Sequence, residues 1–187
     1  MKYTVVDGHC DTPMELWLRQ ENLRSNTCQV SLERAKKLSG YVQFYAFCTV
    51  WLEQDGSFEA HYAGALEHFN RQLDENKDQI VRCKNEADAR AAIGSGKCGA
   101  FLSIEGAEAI SCDPGKLELA CAQGVRMIAP AWNAQNALTG SCMTGGGLTA
   151  QGKEFVRRAQ KLGMILDVSH ISEKAFWDLC DITEKPF

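Results

Sequence analysis

A layered α/β protein built from parallel β-α-β units is the fold class this sequence predicts, on three observations. Short apolar runs recur along the chain, helix-periodic stretches separate them, and residues with catalytic or metal-binding chemistry fall just after the runs. The runs are close to continuously hydrophobic, as expected of strands covered on both faces.

The first run, Tyr3 to Cys10, ends in His9 and, two residues on, Asp11, ahead of Pro13. In an extended strand residues i and i+2 leave the same face, so these two side chains can converge on one ion. They read equally as polar residues closing a buried strand that Pro13 ends. Cys10 points to the other face and is expected to pack. The second run spans Tyr41 to Val50, and the stretch Glu59 to Asn76 spaces Ala63, Leu66, Phe69 and Leu73 as a helix does. His61 and His68 lie in that helix and are expected to be exposed.

A short Ala-rich helix over Glu86 to Ile93 stops at Gly94-Ser95-Gly96. The third run, Ala100 to Glu105, leads to a helix over Gly115 to Gln123 and a fourth run from Arg126 to Ala131, followed by Trp132 and Asn133. Gly145-Gly146-Gly147 reads as a flexible loop; it has no Lys-Ser/Thr sequel, so the phosphate-loop pattern is weak. The helix Ala150 to Leu162 ends at Gly163 in a C-cap position, and the fifth run, Met164 to Ser169, delivers His170. Five β/α units are visible. In a β/α barrel the carboxyl ends of the strands carry the active site, which gives His9, Asp11, Glu105, Trp132, Asn133 and His170 a functional meaning.

The 187 residues, 45% hydrophobic and 24% charged, suffice for one core, so a single domain over 1–187 is expected. A net charge of −4 and the lack of any Lys/Arg run longer than a pair argue against nucleic acid as a partner. No stretch approaches the ~20 apolar residues of a membrane helix. The opening Met1-Lys2-Tyr3-Thr4 leads straight into a strand, and a cytoplasmic location is expected. Nine cysteines, without a Cys-x-x-Cys pair, read as reduced and mostly buried thiols.

Imidazole and carboxylate groups are the ligands Zn²⁺ takes, and two ions can share a bridging carboxylate. His9 and Asp11 can hold one ion, Glu105 can bridge, and His170 can begin the shell of a second. Each of these signals also has a plain structural reading.

Three segments change that balance. Asp7-Gly8-His9-Cys10-Asp11-Thr12-Pro13, Ile104-Glu105-Gly106 and Leu162 to Ser172 resemble, in order and spacing, the motifs of the membrane dipeptidase family, also called renal or microsomal dipeptidases. Gly124-Val125-Arg126 and Gly147-Leu148-Thr149 extend the match along essentially the whole chain. The resemblance implies a (β/α)8 TIM-type barrel of the metal-dependent amidohydrolase superfamily with a binuclear zinc centre that hydrolyses dipeptides. It implies His9 and Asp11 on the first zinc, Glu105 on both and His170 on the second, with a metal-activated water attacking the amide. In animal members a His at the end of the fourth strand contacts substrate; Trp132 stands there in this chain. Asn133 or Asn136 then becomes the candidate to assist the intermediate, with Trp132 and Asn136 as candidate substrate contacts, while a packing role for Trp132 stays open.

Family members run well beyond 300 residues, and this chain stops where a sixth strand would begin. A further Ser-His motif and a late Asp of the family have no counterpart here. A truncated, amino-terminal part of a dipeptidase-like enzyme is therefore expected; a domain completed by a carboxyl-terminal segment, a second chain or another copy of itself, and a shortened protein that folds without full catalysis, are the competing readings. Two other readings stay open: an amidohydrolase acting on another small amide or lactone, and a non-catalytic metal-binding or assembly protein.

Overall fold

A computed structural model describes residues 3–55 and 57–187, so the first two residues of the Met1–Thr4 opening lie outside it. Its strands are β1 (Thr4–Cys10), β2 (Gly40–Cys48), β3 (Ile80–Arg82), β4 (Cys98–Glu105), β5 (Val125–Ala129) and β6 (Ile165–Leu166). Its α-helices are α1 (Thr12–Arg19), α2 (Leu32–Ala35), α3 (Phe58–Glu75), α4 (Glu86–Gly94), α5 (Leu117–Ala122), α6 (Ala150–Lys161) and α7 (Glu173–Cys180). The sheet order is β1-β2-β4-β5-β6 with β3 beside β4, and the pairs β1/β2, β3/β4 and β5/β6 are parallel. Among the described residues no helix is long and apolar enough to cross a membrane.

The chain divides into two compact units, 1–47 with 62–103 and 48–61 with 104–187. In the first, the apolar stripe of α3 meets β2: Tyr45 and Phe69 have ring centroids 4.8 Å apart, and Phe47 lies edge-on to Tyr62 and Phe69 at 5.6 and 6.1 Å. Aromatic pairs in these tilted and edge-on arrangements add to the stabilisation from area burial alone. His68 belongs to that stripe. It is buried rather than exposed, with Nε2 3.2 Å from the carbonyl oxygen of Glu21 and Nδ1 3.4 Å from Arg71. A ring three residues beyond Ala65 cannot avoid the core face of a 3.6-residue helix, so the expectation of exposure was wrong.

The second unit packs α6 through Phe155, Val156 and Ala159, together with Val125, Ile128 and Leu166 of β5 and β6, all within 1% of full burial. Three expectations need correction. Pro13 does not end a segment but lies in the first turn of α1, where a missing backbone donor costs nothing. The fifth run forms a strand only over Ile165–Leu166, because Asp167 Oδ1 accepts the Ser169 N–H at 2.9 Å and turns the chain. The glycine run is no loose loop: Gly145 and Gly146 take φ of +68° and +88° in a turn closed by the Gly145 N–H on the Ser141 carbonyl at 2.8 Å.

That turn feeds α6, whose cap is Thr149. Its hydroxyl accepts the Gly152 N–H at 3.0 Å and donates to the Ala137 carbonyl at 2.7 Å. Thr149→Ala is expected to lower stability by about 0.5–2 kcal/mol, read as an earlier urea midpoint with an unchanged slope. An unmoved midpoint would show that water replaces the cap without cost.

Candidate metal centre

In the first unit the candidates gather where β1 hands over to α1. Asp7 pairs with Gln43 and Cys10 with Tyr45, three steps along β1 against two along β2, so one extra residue is inserted as a bulge. The bulge sets the faces: Cys10 shares the side of Asp7, Gln43 and Tyr45, and His9 turns to the opposite one. Asp7 Oδ1 accepts the His9 N–H at 3.1 Å and helps fix the kink. Asp11 is not a strand residue, as simple alternation expected, but the residue that begins α1, with φ −86° and ψ 9°. Its carboxylate makes no capping bond and lies instead 3.5 Å from His9 Nε2.

His9 and Asp11 open onto a cleft of about 420 Å³ lined also by Glu15, Arg19, Thr27 and Gln29. Arg19 is held there by Glu15 at 2.6 Å and by the Thr27 hydroxyl at 3.1 Å. Burial pushes the Cys10 thiol up to about 12, so the group between the two candidates stays protonated and chemically quiet.

In the second unit Glu105, Trp132, Asn133 and His170 come together. Glu105 ends β4 and is 8% exposed. Gly106, with φ +86°, then turns the chain away. His170 follows β6 and places Nε2 2.9 Å from Glu105 Oε1 and Nδ1 3.0 Å from Asn133 Oδ1. The Trp132 ring lies against the imidazole with centroids 6.1 Å apart and planes inclined by 46°.

Asn136 is engaged differently. Its amide donates to Glu108 Oε1 at 3.0 Å and to the Pro130 carbonyl at 2.8 Å, and its oxygen accepts the N–H groups of Leu138 and Thr139 at 2.9 and 3.1 Å. With both donors and both acceptor positions used, it organises the loop that carries Trp132 and Asn133. Glu108, Ser141 and Cys142 support the same loop and were not found from sequence. Only the place of Glu108, three residues beyond Glu105, could have pointed to it.

The donors match a borderline divalent ion: imidazole nitrogen and carboxylate oxygen from His9 and Asp11 in one unit, the same pair of types from His170 and Glu105 in the other.

Comparison with known proteins bears on this arrangement. The family model described as Membrane dipeptidase (Peptidase family M19) matches residues 1–187. An uncharacterized protein in the PQQ-III 3′ region of Acinetobacter calcoaceticus is 35% identical over 123 residues, which are 62% of this chain and 39% of that protein. The chain thus spans about two-fifths of the length of that relative. Among solved structures, dipeptidase AC, described as a metallo peptidase of family M19, superposes with a TM-score of 0.83 at 24% identity, covering 98% of this chain and 61% of its own. A metallo peptidase from Rhodobacter sphaeroides, liganded with a phosphinate mimic of L-Ala-D-Ala, gives 0.80 at 22% identity, covering 100% of this chain and 64% of its own. The fold is therefore that of these two peptidases over part of their length, and the chain belongs to the membrane dipeptidase family, Peptidase family M19.

Proposed function

We propose that the chain supplies a zinc site for the hydrolysis of dipeptides, with His9 and Asp11 on one ion, His170 on a second, and Glu105 shared between them. The observation that carries this reading is Glu105, a nearly buried carboxylate at the end of a parallel strand and 2.9 Å from an imidazole. Imidazole nitrogen and carboxylate oxygen, the donor types of His9, Asp11 and Glu105, are those a divalent cation such as zinc takes. Membership of a peptidase family and a relative crystallised with a dipeptide mimic support a small peptide as substrate.

Zinc bound by these groups supplies Lewis acidity, bringing the deprotonation of water toward neutral pH and polarising the amide carbonyl. The protein's part is to fix and shield that chemistry. Glu105 brings negative charge to a position with little solvent, where it acts at low screening. Trp132 covers one side of His170 and limits rotation of the ring. The cleft beside His9 and Asp11 offers room for a substrate terminus.

The test is zinc stoichiometry and turnover measured together on the full protein. A panel of L,L and L,D dipeptides with added Zn²⁺ is expected to release free amino acids, to stop on chelation and to resume when zinc is restored. Zinc-saturated protein that leaves every dipeptide intact overturns the peptidase reading. One bound ion without turnover would assign metal binding alone.

A further inference from the structure

His170 has an uncommon backbone. At φ +68° it occupies the left-handed region, which is strained for a residue other than glycine. Such strain persists only where the surroundings over-determine it. Here the 133–142 segment holds both the main chain and the ring. The Cys142 N–H donates to the His170 carbonyl at 2.7 Å, and Ser141 forms an antiparallel bridge with Ile171. The Ser141 hydroxyl in turn donates to the Asn133 carbonyl at 2.5 Å, tying the start of the segment to its end.

The ring is held by Asn133 Oδ1 on Nδ1 and faces Glu105 with Nε2. An amide oxygen can only accept a hydrogen bond, so Nδ1 is the nitrogen that carries a proton in that contact. The partner of one imidazole nitrogen decides what the other can do. With Nδ1–H committed to Asn133, Nε2 is the nitrogen that faces Glu105, and a cation there would take the place of the proton shared in the 2.9 Å contact between Nε2 and the carboxylate.

We propose that Asn133 is a positioning residue for metal binding: it holds His170 by Nδ1–H and so presents Nε2 to a divalent cation shared with Glu105. This rests on the assignment of His170 as a ligand under the proposed function. It gives Asn133 a role behind the ligand rather than at the substrate, in place of assistance to the reaction intermediate.

The experiment is a competition titration of Zn²⁺ against a chromophoric chelator on the full protein, with wild type, N133A, N133D, H170A and the N133A/H170A double variant. N133A is expected to weaken zinc binding about 10–100-fold, the usual effect of removing a group that orients a ligand. N133D is expected to stay within about threefold of wild type, because a carboxylate accepts the same N–H. In the double variant N133A is expected to add nothing to H170A, since its effect passes through that ring. Wild-type affinity in N133A, an equal loss in N133D, or losses that multiply in the double variant would each overturn the positioning role. Wild-type affinity in H170A, or no zinc binding by the wild type, would instead remove the ligand assignment beneath it.

Discussion

Glu105→Gln is expected to abolish dipeptide hydrolysis and strip most of the zinc from the protein. The substitution keeps the volume of the side chain and removes its charge, so any loss reports electrostatics and ligation rather than a cavity. Orienting residues behind a metal ligand typically cost 10–100-fold in affinity or activity when removed. A carboxylate shared by two ions must cost more, so a drop beyond about 10²-fold in turnover is expected. Glu105 is also 2.9 Å from His170 with little solvent around it. The neutral amide would leave the imidazole without its charged partner, and the second ion would lose two anchors at once. Trp132→Ala is the comparison: it removes a ring that lies against His170 but no ligand atom, and is expected to cost far less zinc. Metal analysis of the two purified variants decides the matter, and equal zinc in both would mean that Glu105 is no bridge.

Much of this site could be read before any coordinates, because alternating strands and helices fix where strand ends lie. Glu105 as the last residue of β4, and His170, Trp132 and Asn133 just beyond their strands, follow from the pattern alone. What the pattern could not supply was local geometry. The bulge between Asp7 and Cys10 depends on the register with β2, and a flat alternation would have put Asp7 and His9 on one face. Asn136 looks from sequence like a residue free for substrate, and only the closed 130–139 loop shows its amide fully engaged. Helix starts were hidden for a different reason. Pro13 punctuates strands and opens helices alike, and in α1 the second role won. Ser172 accepts the Ala175 N–H at 3.0 Å and begins α7, a cap signal masked by the short distance to the preceding strand. Strand β3 covers three residues, too few for any periodicity to register.

Gly140→Ala is expected to be among the most damaging single-methyl changes this chain can receive, and to act on the metal site from a distance. A Cβ at Gly140 would lie 1.6 Å from the Gly145 carbonyl oxygen, 2.6 Å from its carbon and 3.1 Å from Gly146 Cα. All three are backbone atoms, so no side chain can swing aside. Backbone on the far side of the gap is itself fixed, by the Thr144 N–H and Gly145 N–H on the Ser141 carbonyl at 3.1 and 2.8 Å and by the Ser141 N–H on Thr144 Oγ1 at 2.9 Å. The methyl must therefore push Ser141 and Cys142 out of place. Those residues hold His170 in its left-handed conformation, so the ring would lose its set direction together with the turn. Overpacking a tight site commonly costs 1–3 kcal/mol, and a clash with backbone atoms belongs at or above the top of that range, about 3 kcal/mol or more. Gly94→Ala provides the comparison: it ends α4, a Cβ there meets nothing within 4 Å, and a gain of about 0.4–1 kcal/mol is expected from the stiffer unfolded chain. Urea unfolding of both variants should move the midpoints in opposite directions, with zinc affinity reduced only in the Gly140 variant. A Gly140→Ala protein that unfolds at the wild-type midpoint would mean that the 140–146 turn can open without cost, and the rigid support argued for His170 would fall with it.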